Sequence, residues 1–348
     1  MPTIDADAHV VETDRTWEFM SESDRAYRPV AVTTNDPGVR PNQREFWRIG
    51  SRVLPRRVFD VERTGATLET QEMHSIAARV RHMDELGVDV HVLYPTLFLR
   101  PVTTDPKVEA ALYRSYNRWM ADIWSHAPER LRWAVLAPTM SMDLAVAELA
   151  WSKEHGACAV FIRGAEGDKL LSDPYFHPLY AAASRLDLPI CIHSGNGSFH
   201  VQDLYEGESG IMARAKLTTL AAVHEIIMSR LPAKFPDLRF GVIETSASWV
   251  PYFCHDLAAR MPRMFDTNVE MDAILRENRI FVACQTDDDL PYVLTYAGEE
   301  TLVIGSDYGH ADTSSELEAL RHLKTAGKLP ARVIDRILDD NARALYAI

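Results

Sequence analysis

Eight short apolar runs punctuate the chain, at residues 3–11, 88–94, 131–137, 157–163, 188–193, 238–244, 279–285 and 302–307. Each is short and rich in β-branched residues, the pattern of a strand buried on both faces. Apolar positions recur at helical spacing over residues 69–86, 107–126, 142–154, 176–186, 213–234, 247–260, 288–297 and 315–324. A last helical pattern covers residues 331–346. Strand and helix alternating eight times predict a parallel sheet flanked by helices, and the count points to a distorted (β/α)8 barrel. An open, doubly wound sheet is the alternative, but no GxGxxG follows any predicted strand. Residues 13–68 are too long for a strand-to-helix loop. They carry Trp17, Phe19, Tyr27, Phe46, Trp47 and Phe59 among many arginines. The expected organisation is one domain over residues 1–348, with 13–68 inserted as a cap over the barrel mouth.

In such a barrel the chemistry sits where the strands end at their C-terminal side. Strand one ends in Asp7-Ala8-His9, whose two polar side chains lie two apart and project to one side. Strand five ends in His193, strand six in Glu244 and strand eight in Asp307. One polar residue closing an apolar strand is ordinary. Four strands closing in imidazole and carboxylate form a constellation, and Asp7, His9, His193 and Asp307 are the expected metal ligands. Mixed imidazole and carboxylate donors suit Zn, Mn or Fe better than Ca or Mg. Glu12, His224 and Glu244 can reach the same face. With them the set holds four carboxylates and three histidines, more than one cation needs. Carboxylates bridging two cations would use the surplus, since anions offset cation–cation repulsion. His310, three residues past Asp307, is expected to support a ligand rather than to bind metal.

Composition narrows the partners. The 348 residues carry 37 Lys and Arg against 50 Asp and Glu, a formal charge of −13. That balance argues against a nucleic-acid partner. No run approaches the length of a membrane span, and the opening MPTIDADAHVVE lacks the basic and apolar regions of a signal peptide. A cytoplasmic location is therefore expected. Cys158, Cys191, Cys254 and Cys284 lie far apart without a CxxC, so neither disulfides nor a thiolate metal site are expected.

Nearly the whole chain resembles the amidohydrolase superfamily, in the family 2 branch typified by aminocarboxymuconate-semialdehyde decarboxylase and γ-resorcylate decarboxylase. The resemblance is carried by IDADAHVVE, RHMDELGVDVHVLYPT, DPYFHPLYAAASRLDLPICIHSG, LPAKFPDLRFGVIETSASWVPY, VIGSDYGHAD and ILDDNARALYAI. It implies a divalent metal at the strand ends and, frequently, a homodimer. The decarboxylases often carry HxH on strand one, where this chain has Asp7 and His9. Their catalytic histidine before strand six is matched by His224, which with Glu244 is the expected catalytic pair.

Carboxylates with two or three histidines are also what di-iron proteins use to activate dioxygen. A few members of the fold resembling this chain are non-heme di-iron or iron–manganese monooxygenases. The sequence reading therefore favours a dinuclear iron monooxygenase acting on a small organic acid or natural product, with an external electron donor. A metal-dependent hydrolase or non-oxidative decarboxylase, using Zn or Mn, is the alternative. The bridging lysine that dinuclear hydrolases of the superfamily carry on strand four is replaced by Phe161-Ile162-Arg163-Gly164. Arg163 is the expected clamp for a substrate carboxylate, with Arg40, Arg44 and Arg48 as further anion-binding candidates. Trp249 and Tyr308 are expected against the substrate, with Trp47, Phe98 and Tyr252 as further pocket aromatics.

Overall fold

The chain begins with β1 (Ile4–Val10), and all seven of its residues are buried. Three strands outside the barrel follow: β2 (Val30–Thr33), β3 (Glu45–Ile49) and β4 (Arg52–Pro55). The rest of the barrel is β5 (Val90–Pro95), β6 (Leu131–Leu136), β7 (Ala157–Arg163), β8 (Ile190–His193), β9 (Phe240–Ile243), β10 (Ile280–Cys284) and β11 (Leu302–Ile304). This computed structural model describes residues 2–39, 44–56, 64–266, 268–310, 325, 327 and 329–348. The helix expected at 315–324, together with Arg40, lies outside them.

The eight barrel strands pair in the order β1-β5-β6-β7-β8-β9-β10-β11, each pair parallel. Just beyond β11 the ring closes on β1. The amide of Asp307 donates to the carbonyl of Asp7 at 2.8 Å, and that of His9 donates to Tyr308 at 3.0 Å. The expected (β/α)8 barrel is thus the fold.

Helices α1 (Ile76–Leu86), α2 (Pro106–His126), α3 (Met142–Glu154), α4 (His177–Arg185), α5 (Thr218–Met228), α6 (Val250–Phe265) and α7 (Leu290–Ala297) cover the outside. Local chemistry sets their starts. Asp105 Oδ1 accepts the amide of Lys107 at 2.8 Å, and Pro106 fills the first turn of α2, where no amide partner is needed. The helix expected over 213–234 is broken. It enters through one π-helical turn, Met212–Leu217, and stops after α5, where Arg230 takes a left-handed φ of 58°.

Within the inserted stretch, β2-β3-β4 make an antiparallel sheet. Its Trp47 is fully buried edge-on against Trp17, which in turn meets Phe98 in the loop after β5. Arg52 lies over the ring of Phe199, beyond β8. The insertion thus touches two loops at the C-terminal end of the barrel.

Candidate metal centre

β1 projects Asp7 and His9 into the barrel mouth, and β8 ends on His193. Glu244 follows directly on β9 and Asp307 lies three residues past β11, at φ of 60° and 52°. The left-handed backbone is unfavourable for a side chain bearing a Cβ and here turns both carboxylates toward the barrel axis. His9 Nε2 stands 3.4 Å from Asp7 Oδ1, 3.3 Å from Glu244 Oε2 and 3.3 Å from Asp307 Oδ1. His193 Nε2 stands 3.3 Å from Asp7 and 3.6 Å from Glu244. His310 Nδ1 lies 2.8 Å from Asp307 Oδ1, and its ring stacks on His9 with centroids 3.9 Å apart. Two sets of potential ligand atoms each fall within 4.8 Å: Asp7, His9, His193 and Glu244, and His9, Glu244, Asp307 and His310.

The far side of each imidazole explains what this cluster requires. His9 Nδ1 lies 3.0 Å from the Pro95 carbonyl, and His193 Nδ1 lies 3.0 Å from that of Ser194. A carbonyl only accepts, so both Nδ1 atoms carry the proton and neutral rings turn a lone pair on Nε2 toward the carboxylates. Lone pairs facing lone pairs need a cation between them. Without a metal it is a proton. Burial opposes charge on His9, but Asp7 and Glu244 outweigh it and push its pKa up to about 10. Burial would likewise raise Asp7, yet His193 and His9 hold its carboxyl well below the usual range. Glu244 is shifted upward by burial, against the pull of His193 and His9. Among the described residues, His9 Nε2 and Glu244 Oε2 are buried without a hydrogen-bond partner. The donor set fits a divalent cation of the Mn or Zn type.

Several predicted residues stand elsewhere. His224 is half-buried on α5 with Nε2 3.1 Å from Asp256 of α6. Thr219 of the same helix donates its hydroxyl to the His193 carbonyl. Five residues on, a helix has turned by roughly 140° from that face, so His224 points outward and joins neither ligand set. Glu12 is fully buried, but its carboxylate accepts the amides of Thr96 and Leu97 at 3.2 and 2.9 Å. It fastens the β5 loop to β1 and joins neither ligand set. Burial lifts its pKa to about 7.

The three expected substrate contacts are each tied to protein partners. Arg163 is buried against Glu166, with its Nε 2.9 Å from Oε1, and also donates to the carbonyls of Phe98 and Arg100. Tyr308 is fully buried. Its hydroxyl meets His82 Nδ1 at 2.7 Å and Thr70 Oγ1 at 3.0 Å. Trp249 donates Nε1 to the Ser246 carbonyl at 2.7 Å and packs edge-on against Phe253. Arg44 donates to the Val39 carbonyl, and Arg48 is exposed on β3.

The supporting residues went unread in the sequence. Asp5 accepts the amides of Asp7 and Ser306 at 3.1 and 2.9 Å, tying β1 to the β11 end. Burial raises its pKa to about 7. Arg79 of α1 is wholly buried over the ring of Tyr308 and donates to the His9 carbonyl at 3.2 Å. Its signal was an arginine in register with Met83 and Leu86 on the buried face of α1. Above the cluster lies a cavity of about 170 Å³ whose wall includes Glu244, Arg100, Arg214, Asn196 and Gln202. Gly195, at φ 126°, closes the wall. A Cβ there would stand 2.3 Å from the Leu99 carbonyl oxygen.

Residues 4–348 match the amidohydrolase family. No curated protein is significantly similar to the chain in sequence. Among solved structures, an amidohydrolase from Mycobacterium avium subsp. paratuberculosis K-10 is similar at a TM-score of 0.81 and 18% identity, over 100% of this chain and 98% of that one. The 5-carboxyvanillate decarboxylase LigW from Sphingomonas paucimobilis is similar at 0.73 and 18%, over 100% and 99%. A 5-carboxyvanillate decarboxylase from Novosphingobium aromaticivorans DSM 12444, complexed with manganese and 4-hydroxy-3-methoxy-5-nitrobenzoic acid, is similar at 0.70 and 15%, over 100% and 96%. No helix among the described residues is long and apolar enough to cross a membrane. With the match spanning nearly all of the sequence, this chain belongs to amidohydrolase family 2.

Proposed function

We propose that the protein is a metal-dependent, non-oxidative decarboxylase of a small organic acid. The observation that carries this reading is the pair of imidazoles, His9 and His193, which meet Asp7 and Glu244 beneath a ring-sized cavity, with Asp307 in an overlapping set through His9 and Glu244. Asp7, His9, His193 and Asp307 would hold the cation, and the insertion would cap the cavity above them. When bound, the cation supplies Lewis acidity that draws electron density from the substrate. The chain's own residues do the rest. The cavity orients the acid, and its walls keep water from the reacting carbon. Glu244, shared by cluster and cavity wall, is the carboxyl placed to pass a proton from Oε2 to that carbon. The bond to the carboxylate breaks, CO2 leaves, and the proton replaces it. His310, with Nδ1 4.0 Å from Glu244 Oε2 and Nε2 3.0 Å from Thr96 Oγ1, provides a route for restoring that proton.

The test is turnover of a panel of hydroxybenzoic acids by manganese-loaded protein in anaerobic buffer. One CO2 per acid consumed, lost on chelation, is expected. The oxygenase reading has one observation in its favour, the two overlapping ligand sets sharing His9 and Glu244. Two iron ions per chain and turnover that stops without dioxygen would establish it and sink the decarboxylase.

A further inference from the structure

A second cavity, of about 320 Å³, lies among the loops that follow β5, β6 and β7. None of the candidate metal ligands lines it. Thin walls of main chain part it from the cavity over the cluster. Leu99, Arg100, Gly195 and Asn196 face that one, whereas Pro101 and Gly197 face this one. The volume falls within the range of about 300–1,000 Å³ for small-molecule sites.

The polar groups around this cavity are nearly all spent. Arg163 has five N–H donors, and every one is engaged. Nε and Nη2 donate to Glu166, Nη1 donates to the carbonyls of Phe98 and Arg100, and Nη2 also reaches the Tyr113 hydroxyl. Glu166 is matched by that arginine and accepts from Thr139 Oγ1 as well. The Tyr175 hydroxyl donates to the Thr139 carbonyl at 2.7 Å. Lys169 is exposed, with Nζ 5.1 Å from the centre of the Tyr175 ring.

Glu109 is the exception. It enters the cavity wall from the first turn of α2 and is 2% exposed. Its Oε2 accepts the Met140 amide at 2.8 Å. Its Oε1 accepts no hydrogen bond, and its carboxylate makes no ion pair, among the described residues. Burial raises its pKa to about 7, the Met140 amide opposes this, Glu166 adds to it and Arg163 offsets part. A buried carboxylate oxygen left open toward a cavity calls for a positive group that brings N–H donors. One oxygen offers too few ligands for a divalent metal. Val102, Tyr113, Tyr175 and Phe176 present apolar surface for the carbon skeleton of such a ligand.

We propose that this cavity is a second ligand site, separate from the metal centre, which takes a small organic ammonium ion with an N–H on Glu109 Oε1. The site is independent of the reaction at the cluster, whatever that reaction is.

The experiment titrates manganese-loaded full-length protein calorimetrically at pH 8 with benzylamine and with benzyl alcohol, an uncharged probe of nearly the same shape. Wild type is expected to bind the amine about 10-fold more tightly, the margin of a charge-assisted hydrogen bond over a neutral one. Glu109→Gln should bring the amine down to the level of the alcohol and leave manganese content unchanged. Glu109→Asp keeps the charge one methylene further back and should retain part of the preference, which separates lost recognition from a damaged fold. Saturating benzoate, which as an anion is drawn to the metal cavity, should leave benzylamine affinity as it was. No preference for the amine in wild type, or a preference that survives Glu109→Gln, overturns the site. Displacement of benzylamine by benzoate overturns it too, because the amine then sits over the cluster.

Discussion

Replacing Gly305 by alanine tests whether Asp7 is held for metal binding by packing from the adjoining end of β11. An added Cβ would stand 2.7 Å from the Asp7 Cβ and 3.6 Å from that of Ala283. Ordinary contact begins near 3.4 Å, so the two must part by about 0.7 Å. Asp7 has little room to yield. Its amide donates to Asp5, its carbonyl accepts from Asp307, and its side chain is almost fully buried. The strain of such overpacking is about 1–3 kcal/mol. Displacement falls on Asp7 and, through its carbonyl, on Asp307. Misplacement on the order of 1 Å lowers activity by about 10²-fold. Thermal unfolding of the metal-free protein reads the packing cost, and a manganese titration reads the ligand geometry. Lower stability with wild-type manganese affinity would refute the role of Asp7. Unchanged stability would refute the packing argument itself.

The predicted ligands separate cleanly from the misplaced one. His193→Ala and Asp307→Ala should each weaken manganese binding by more than about 10-fold, while His224→Ala should leave metal content unchanged by elemental analysis. A reversal of that order would move the site. Glu109 offers a pH test away from the metal. Burial raises its pKa to about 7, against the help of the Met140 amide. A carboxyl shifted upward on folding adds stability at pH below its unfolded value, and that stability is lost as pH rises through about 7. The contribution is about 3 kcal/mol. Urea unfolding at pH 5 and pH 7.5 should therefore show a smaller loss in Glu109→Gln than in wild type, and equal losses would exclude the assignment.

The barrel was legible because every strand is buried on both faces and bounded by helical spacing. The side chains gathered at the strand ends were legible for the same reason. A polar residue closing an apolar strand has few packing explanations, and Asp7, His9, His193, Glu244 and Asp307 fall in two overlapping groups at the barrel mouth. What failed was direction. His224 lies on a helix, where face rather than position decides reach, and the break before Leu231 with the π turn before Thr218 was invisible to a 3.6-residue pattern. Glu12 has the right chemistry but serves two backbone amides, and a loop's amides leave no mark on side-chain identity. Arg163 was read as a clamp for a substrate carboxylate because its partner Glu166 lies just past the strand, a pairing that needs the turn's geometry.

The left-handed backbone at Glu244 and Asp307 bears on how this protein would respond to engineering. Each non-glycine residue in that conformation costs about 1–2 kcal/mol, so both acids occupy positions where glycine suits the backbone better. A screen that rewarded melting temperature alone would enrich Glu244→Gly and Asp307→Gly, and would discard both carboxylates with them. Robustness and chemistry are selected in opposite directions at the same two residues, so a thermostable lineage of this barrel must gain its stability elsewhere.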